Sequence, residues 1–234
     1  MNIIVTGTSQ GIGRELVKEF CRKIKSGKIY CATRSFKKFL VLEKECASIN
    51  KKIFLFPLVD AEGVNFSDVE NNKQIPANEK IDIIINNAAT LINRPFAKIS
   101  EGELYETYRI NVFHPFRTIQ VILPHLKKGS HIVNISSMGG VQGTQKFAGL
   151  SAYSSSKGAL AVLTECLAEE LKPKGIAVNC LALGAVQTEM LSKAFPKYKA
   201  PVTAKQMAEF ICEFALTGNK YFNGKIIPVS LSTP

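Results

Sequence analysis

The sequence predicts a doubly wound α/β domain, in which a parallel sheet carries helices on both of its faces. Apolar runs rich in β-branched residues alternate with amphipathic helical patterns along the chain, and this order is typical of a parallel sheet. The run 81–85 is almost continuously apolar, as expected of a strand buried on both faces. The third run contains Pro57, which removes a ladder donor and is tolerated mainly at the edge of a sheet.

The elements follow from these patterns in chain order. The predicted strands are residues 3–6, 28–32, 52–58, 81–86, 131–135, 176–181 and 224–229. The predicted helices are residues 11–23, 36–49, 100–126, 152–171 and 203–216. Residues 65–80 are polar and rich in asparagine, and we expect a loop or a short helix there. A doubly wound sheet in the order 3-2-1-4-5-6-7 places the third strand at the edge, which agrees with Pro57.

Length and composition favour one domain over residues 1–234. The chain has 234 residues, of which 46% are apolar, so it can bury a core without a metal or a disulfide. Its six cysteines are scattered and form no C-x-x-C pair, which indicates a reducing compartment and no metal site. No basic leader precedes the first strand and no apolar run is long enough to span a bilayer. We therefore expect a cytoplasmic protein without a membrane partner.

The formal charge of +11 raises the alternative of a nucleic-acid partner, because a basic surface attracts polyanions. The basic residues lie in short blocks at the ends of helical patterns, where cations complement the helix dipole. These blocks are Arg22-Lys23-Ile24-Lys25, Lys127-Lys128 and Lys172-Pro173-Lys174. No aromatic residues interleave with them as stacking platforms. We expect a solvated basic face and no nucleic-acid binding.

A glycine-rich turn follows the first strand and opens the first helix. It reads Thr6-Gly7-Thr8-Ser9-Gln10-Gly11-Ile12-Gly13, the context that a dinucleotide fingerprint requires. Glycines permit the tight turn and let backbone N–H groups approach a pyrophosphate at the positive end of the helix. An ordinary strand-to-helix turn is the structural alternative. We expect cofactor contacts from Gly7, Ser9, Gln10, Gly11, Ile12 and Gly13.

Further motifs follow at the ends of the predicted strands. They are Asp60, Asn86-Asn87-Ala88-Ala89, Asn111, Ile135-Ser136-Ser137 and Tyr153-Ser154-Ser155-Ser156-Lys157. With the glycine turn, and in this order, they resemble the short-chain dehydrogenase/reductase family over essentially the whole chain. The resemblance implies a Rossmann-like fold and an oxidoreductase that moves a hydride between nicotinamide and an alcohol or carbonyl substrate, of the carbonyl or 3-oxoacyl reductase type. It also implies a homodimer or homotetramer.

The proton-transfer residues follow from this resemblance together with elementary chemistry. Tyr153 and Lys157 are neighbours on one helix face, and a close ammonium favours the tyrosinate and is expected to lower the phenol's pKa. By resemblance Tyr153 is the acid/base and also contacts the cofactor, and Lys157 holds the nicotinamide ribose. Ser137, with Ser136 as its rival, polarises the substrate carbonyl. Asn111 holds a water that passes protons to Lys157; the alternative is an asparagine that caps or bends the helix.

The end of the second strand decides between the two nicotinamide cofactors. An acidic residue there accepts hydrogen bonds from the adenosine ribose and repels a 2′-phosphate. This sequence instead has Thr33 followed by Arg34, with Lys37 and Lys38 close behind. A guanidinium binds phosphate with two parallel hydrogen bonds, so NADP(H) is favoured over NAD(H). Arg14 is a possible second phosphate contact, and a surface charge is the alternative for Arg34.

The remaining cofactor contacts come from the resemblance alone. They are Asp60 beside the adenine, Asn87 and Ala88 behind the glycine turn, and Gly184, Val186 and Thr188 near the nicotinamide amide. Leu183 stands where the family usually has proline. Residues 142–150 lengthen the segment before Tyr153 and are expected to shape the substrate pocket. Residues 189–204 are expected to form a lid, over either a modest apolar carbonyl compound or an acidic one.

A function of a different class is compatible with the same fold. A nucleotide-sensing or scaffold protein would keep the glycine turn and lose turnover. A complete set of Asn111, Ser137, Tyr153 and Lys157 argues against this alternative, because a binding module needs no proton relay.

Overall fold

Seven parallel strands form the main sheet of the computed structural model, which describes residues 1–59 and 75–231. In chain order these strands are β1 (Asn2–Thr6), β2 (Gly27–Thr33), β3 (Ile53–Val59), β4 (Ile81–Asn86), β5 (Leu126–Ser137), β6 (Ala177–Leu183) and β9 (Ile226–Val229). Their order across the sheet is β3-β2-β1-β4-β5-β6-β9. The strand β9 is the seventh of the prediction, so the predicted order is confirmed. Two short strands, β7 (Val186–Gln187) and β8 (Val202–Thr203), pair outside this sheet and were not predicted.

Helices cover both faces of the sheet. They are α1 (Gly11–Lys23), α2 (Phe36–Ile49), α3 (Glu101–Tyr108), α4 (His114–Ile122), α5 (Ser151–Leu171), α6 (Glu189–Ala194) and α7 (Ala204–Thr217). One apolar layer joins the sheet to α1, α2 and α7 through residues such as Leu16, Leu42 and Ile211. A second layer joins the opposite face to α4 and α5 through residues such as Ile119 and Leu171. The expected three-layer packing is therefore present.

Neighbouring residues of β1 show how one strand serves both apolar layers. Ile3 and Val5 lie in the layer with α1, and Ile4 lies in the layer with α5. Because successive side chains point to opposite faces of a sheet, a strand buried on both sides needs apolar residues at every position. This alternation explains the continuous apolar runs in the sequence.

The stretch 100–126 was predicted as one helix, and residues 101–125 are helical without a gap, but with one irregular turn inside and a 3₁₀ turn at the end. Between α3 and α4 the backbone forms a π-helical turn over Arg109–Phe113. Pro115 has no backbone N–H and cannot donate to the carbonyl four residues earlier, so the regular ladder cannot continue through it. The amide of His114 instead donates to the carbonyl of Arg109, five residues earlier. The helix therefore passes its proline by widening into one π-helical turn.

The strand β5 begins earlier than predicted. Lys127 and Lys128, expected at the end of a helix, lie in its first residues, and Lys127 Nζ pairs with Asp82 Oδ1 at 2.7 Å. The block with Lys172 and Lys174 does follow α5, in a short 3₁₀ turn. One of these two basic blocks therefore sits at a helix end as expected.

Each edge strand of the main sheet carries a proline. Pro57 lies in β3, at the edge that the sequence predicted, and Pro228 lies in β9 at the other edge. The carbonyl of Val229 accepts from the amide of Gly184, directly after β6, at 2.9 Å. Because the backbone groups of successive strand residues point to opposite sides, Pro228 faces away from the sheet.

The loops that follow the inner strands open onto one side of the molecule. Because β1, β2, β4, β5 and β6 are parallel, their carboxyl ends lie at the same edge. In open α/β sheets a crevice forms outside these ends where the strand order reverses. This crevice is where the predicted site residues come together.

Candidate active site

Close backbone packing holds the turn between β1 and α1. Gly7 has φ +74°, in the left-handed region that favours glycine. A Cβ on Gly13 would lie 2.3 Å from the carbonyl oxygen of Gly7 and 2.5 Å from Asn87 Nδ2, so no side chain fits there. Asn87 Nδ2 donates to the carbonyl of Thr6 at 2.9 Å. The amide of Asn87 thus ties the loop after β4 to the glycine turn.

The amino end of α1 faces a cavity of about 780 Å³ and is left open by its own side chains. Its N-cap residue, Gln10, makes no side-chain capping bond, and its first turn has no acidic residue. Gln10, Gly11 and Ile12 all line the cavity, and Gly11 has φ +57°. Backbone N–H groups at an uncapped helix start suit an anion. These residues therefore fit the pyrophosphate of a dinucleotide.

Most of the predicted site residues line this one cavity. They are Gly7, Ser9, Gln10, Gly11, Ile12, Arg34, Asn87, Ala88, Ser137, Tyr153, Lys157, Gly184, Val186 and Thr188. Gly13 and Asn111 are buried behind its wall. Asp60 lies outside the described residues. The fold thus gathers residues from several strand ends and from α5 around a single space.

Ser137, Tyr153 and Lys157 stand on one wall of the cavity. Tyr153 and Lys157 lie one turn apart on α5, and Lys157 Nζ is 5.9 Å from the centre of the Tyr153 ring. The hydroxyl of Ser137 lies close enough to the phenol of Tyr153 to act on its pKa. Lys157 is 2% exposed, and its Nζ donates to the carbonyl of Ile135 at 2.7 Å. A hydroxyl, a phenol and an ammonium therefore meet at the end of β5.

The rival serine has a different partner. Ser136 Oγ donates to the backbone carbonyl of Lys157 at 2.8 Å and so joins β5 to α5. Ser137 is the serine whose hydroxyl reaches Tyr153. This difference favours Ser137 as the serine that contacts a substrate.

Burial shifts the two ionisable groups of this wall in opposite directions. Burial raises the pKa of Tyr153 to about 12, while the hydrogen bond from Ser137 acts in the lowering direction. Burial also lowers the pKa of Lys157 to about 8. The expected lowering of the Tyr153 pKa by the ammonium is not found, because burial is the largest influence on the phenol and Lys157 is not among the groups that shift it. The phenol holds its proton more firmly than a free tyrosine does.

Asn111 braces the site from behind. Its Oδ1 accepts from the amide of Thr90 at 2.9 Å, and its Nδ2 donates to the carbonyl of Thr90 at 3.0 Å and to Ser156 Oγ at 2.9 Å. The residue is fully buried in the π-helical turn. Its side chain thus joins the loop after β4 to α5 beside Lys157, and a role in passing protons stays a prediction.

The end of β2 presents cations to the cavity. Arg34 and Lys38 line it, and Lys38 Nζ donates to Gln10 Oε1 at 3.2 Å. The hydroxyls of Thr33 and Ser9 lie 2.5 Å apart, which joins the end of β2 to the glycine turn. Among the cavity-lining residues that the structure describes, Glu189 is the one acid, and its carboxylate lies near Gly11. The charge beside β2 therefore suits a phosphate group.

The turn after β6 lacks the proline that the family usually has there, and close packing against the segment after β9 positions it. A Cβ on Gly184 would lie 2.4 Å from Ser230 Oγ, so glycine is needed for the approach of β9. Thr188 caps α6, because its side chain accepts from the amide of Leu191 at 3.2 Å. Leu183 ends β6 and also lines the cavity.

Several lining residues were missed by sequence reasoning, among them Leu91, Arg109, His114 and Ser230. Arg109 makes a two-pronged ion pair with Glu106, at 2.5 and 2.8 Å, and its Nη1 lies 2.9 Å from His114 Nε2. Arg109 begins the π-helical turn and His114 directly follows it, where the sequence pattern predicts a regular helix. Pro115 was the signal that could have located this turn.

Two kinds of feature are not found in the part of the chain that the structure describes. No group of three or more His, Cys, Asp or Glu residues is arranged there to hold a metal ion. No helix within residues 1–59 and 75–231 is long and apolar enough to cross a bilayer.

The strand order and the glycine turn at its reversal point define a Rossmann-type dinucleotide-binding fold. Comparison with family models gives the particular family: residues 1–199 match the model described as short chain dehydrogenase. The chain belongs to this family, and the predicted resemblance is confirmed.

Curated relatives carry oxidoreductase names. The chain is 32% identical over 203 residues to the uncharacterized oxidoreductase YhdF of Bacillus subtilis, a match over 84% of this chain and 66% of that protein. It is 29% identical over 194 residues to carbonyl reductase [NADPH] 2 of Sus scrofa, covering 81% of this chain and 73% of the relative. The match to the B. subtilis oxidoreductase YhxC, 38% identical, spans 49% of this chain and only 40% of that relative.

Solved structures share the whole fold. A short chain dehydrogenase from Shigella flexneri, complexed with NADP, superposes with a TM-score of 0.84 at 25% identity. The superposition covers 97% of this chain and 95% of that one. The fold is therefore that of the family along nearly all of the chain.

Proposed function

We propose that the chain is an NADP(H)-dependent oxidoreductase that transfers a hydride between nicotinamide and an alcohol or carbonyl substrate, of the carbonyl or 3-oxoacyl reductase type. One observation carries the proposal: Ser137, Tyr153 and Lys157 share a wall of the cavity that begins at the glycine turn. The name of the carbonyl reductase from Sus scrofa and the NADP in the Shigella flexneri structure support it.

The residues that fit the dinucleotide surround the cavity in order. The turn with Gly7, Gly11 and Gly13 would hold the pyrophosphate, and Arg34 the adenosine phosphate. By resemblance Lys157 would hold the nicotinamide ribose, and the segment with Gly184, Val186 and Thr188 the carboxamide. When bound, the nicotinamide supplies or accepts the hydride.

Tyr153 and Ser137 would act on the substrate oxygen. In the reductive direction both donate hydrogen bonds to the carbonyl oxygen, and the phenol proton moves to that oxygen as the carbon is reduced. The raised pKa of Tyr153 keeps this proton available. A tyrosinate then forms near the Lys157 ammonium, which stabilises the new charge. The proton is replaced through Lys157, with an Asn111-held water as the family pattern implies.

A titration tests the cofactor part of the proposal. Purified protein is titrated with NADPH and with NADH, following nicotinamide fluorescence, for wild type, Arg34→Ala and Lys25→Ala. We expect wild type to prefer NADPH, and Arg34→Ala to weaken NADPH binding by about tenfold or more while changing NADH binding little, since charge-assisted phosphate contacts contribute roughly 1.5–3 kcal/mol. Lys25→Ala is the matched control, because Lys25 is an exposed cation in the turn before β2.

The outcomes separate the two parts of the proposal. Equal binding of both cofactors in wild type, or an Arg34→Ala variant that binds NADPH as wild type does, contradicts NADP(H) selection by Arg34. Failure of folded wild type to bind either nucleotide contradicts the oxidoreductase proposal itself.

The assembly and the extent of the domain are a further part of the proposal. We propose a single domain over residues 1–234 that forms a homodimer or homotetramer, by analogy with the family. The helices α3 to α5 expose apolar side chains such as Tyr105 (61% exposed), Phe116 (43%) and Val162 (58%), which agrees with an interface there. Size-exclusion chromatography with light scattering measures the mass of the assembly, and a monomer mass would contradict the proposed oligomer.

A further inference from the structure

Three chain segments close the cavity on the side of Tyr153 and hold one another in place. They are the loop 91–95 after β4, the segment 142–150 before α5, and the lid 189–204. The amide of Arg94 donates to the carbonyl of Gly149 at 3.0 Å, and Asn93 Nδ2 donates to the carbonyl of Ala194 at 3.0 Å. The loop after β4 therefore joins the other two segments and brings their lining residues to one end of the cavity.

The side chains that these segments turn into the cavity are mostly apolar. They include Leu91, Phe147, Leu150, Met190, Phe195 and Tyr198. Gln145 adds a neutral amide, Ser154 at the start of α5 adds a hydroxyl, and Glu189 of the lid adds a carboxylate on the side of Gly11. Phe147 is 51% exposed, so a molecule bound in the cavity can bury apolar surface of this ring.

The cationic side chains of the same segments bind other groups or face solvent. Lys146 Nζ donates to the carbonyls of Val141 (2.5 Å) and Thr144 (3.1 Å), so its charge is held by its own loop. Arg94 pairs with Glu103 at 3.0 Å. The lid lysines Lys193, Lys197 and Lys199 are exposed and do not line the cavity.

The charge distribution therefore distinguishes the two substrate classes that the sequence left open. A carboxylate or phosphate placed among these apolar side chains would lose hydration without gaining a cation from the three segments, and the guanidinium of Arg109, which also lines the cavity, is already paired with Glu106. An uncharged molecule with an apolar group would instead bury that group against the rings of Phe147 and Phe195.

We infer that the substrate is an uncharged carbonyl compound bearing an aromatic or branched apolar group, with Phe147 and Phe195 as specificity-determining residues. This inference rests on the proposed function. The reaction balances as carbonyl compound plus NADPH plus one proton giving alcohol plus NADP⁺: the hydride adds to carbon, and the phenol proton of Tyr153 goes to oxygen.

The test compares two aldehydes that differ in one charge. Reduction of benzaldehyde and of 4-carboxybenzaldehyde by NADPH is measured for wild type, Phe147→Ala, Phe195→Ala and Tyr221→Ala. We expect wild type to have at least about tenfold higher kcat/KM for benzaldehyde, and each pocket variant to lose about five- to tenfold through KM, since apolar pocket contacts contribute on that order. Tyr221 is an exposed aromatic residue that does not line the cavity, so Tyr221→Ala should match wild type.

A charge-introducing variant gives a positive readout. Phe147→Arg should reduce or reverse the kcat/KM preference for benzaldehyde over 4-carboxybenzaldehyde, because the new cation pairs with the carboxylate of the second aldehyde. A wild type that prefers 4-carboxybenzaldehyde, or pocket variants that leave KM unchanged, would overturn the inference while leaving the oxidoreductase proposal intact.

A binding measurement decides the inference without turnover. Calorimetry on NADPH-loaded protein compares benzyl alcohol with 4-(hydroxymethyl)benzoate, neither of which can accept a hydride. Tighter binding of benzyl alcohol supports the apolar pocket, and tighter binding of the benzoate overturns it. If NADPH binds and no aldehyde in a broad panel is reduced, the proposed function fails, and this binding result still decides the character of the pocket.

Discussion

At the residue scale, Lys157 shows that the chemistry of a side chain depends on the fold as much as on its neighbours in sequence. The spacing of Tyr153 and Lys157 predicted that they share a helix face, and they do. The sequence could not show how little water reaches them. Burial lowers the pKa of Lys157 to about 8 and raises that of Tyr153 to about 12. Which residues are near each other was predictable, whereas their ionisation was not.

Replacing Tyr153 with phenylalanine removes the proton and keeps the ring. We expect carbonyl reduction to fall by at least about 100-fold, because a positioned general acid contributes roughly 10²–10⁴ in rate. NADPH affinity should stay close to that of wild type, because the phenol oxygen serves the substrate. Single-turnover oxidation of NADPH and the fluorescence titration measure the two quantities separately.

The control for this variant is Tyr221→Phe, which removes a hydroxyl from an exposed ring away from the cavity. It should keep full activity. If Tyr153→Phe turns over at the wild-type rate, Tyr153 is not the proton donor. If wild type binds NADPH and reduces no carbonyl compound, the silent sensor or scaffold becomes the better description.

At the scale of elements, the long strands and helices were predictable from the sequence, and short or irregular elements were not. The bounds of β4, α1 and α2 agree with the predictions, because long apolar or amphipathic patterns specify them. The pair β7 and β8 was missed, since each has two residues and so no periodicity to detect. The π-helical turn between α3 and α4 was missed because the apolar pattern continues through it, and only Pro115 marks it. Arg109 in this turn and His114 directly after it both line the cavity.

The glycine turn offers a test at this scale. Gly13→Ala places a methyl group 2.3 Å from the carbonyl oxygen of Gly7, so the turn must shift. We expect a loss of about 2 kcal/mol or more in the free energy of unfolding, as for other severe steric strain, and NADPH binding weaker by about tenfold or more as its N–H groups move. Urea unfolding and the fluorescence titration measure these effects.

The matched control is Gly102→Ala in α3, where the added methyl group meets no atom within 4 Å. It should raise the free energy of unfolding by about 0.5–1 kcal/mol, because alanine favours helix over glycine. A Gly13→Ala protein that unfolds and binds NADPH as wild type does would show that the turn tolerates a side chain.

At the scale of the whole molecule, one buried histidine links three elements. His131 in β5 is 1% exposed; its Nδ1 lies 3.0 Å from the carbonyl of Ala215 in α7, and its Nε2 lies 3.0 Å from Asn179 Nδ2 in β6. The Asn179 amide donates to Nε2, so the ring is neutral and its proton lies on Nδ1. Burial lowers the pKa of His131 to about 4, although the bond to Ala215 acts in the raising direction.

This shift makes the stability of the fold depend on pH. Between pH about 6.5 and about 4 the unfolded chain binds a proton at His131 that the folded chain excludes, so stability present above about 6.5 is lost as pH falls. We expect this residue alone to contribute a loss of about 2 kcal/mol between pH 7.5 and 5. Urea unfolding at both pH values measures it.

The comparison variant is His131→Gln, which keeps hydrogen-bonding groups and removes the titration. Its free energy of unfolding should be lower overall, with a smaller difference between the two pH values than in wild type. An equal difference in both proteins would contradict a role for His131 in the pH dependence.

The prolines in the two outermost strands bear on how copies of this protein behave at high concentration. Pro228 faces outward, and so does Pro57, since the carbonyl of Lys52, an odd number of residues earlier, accepts from Gly27 in β2. Each outer row of N–H groups therefore has a gap where a strand from another molecule would need a donor. We therefore expect the two prolines to disfavour edge-to-edge pairing of strands between molecules, the contact through which sheets polymerise at high protein concentration.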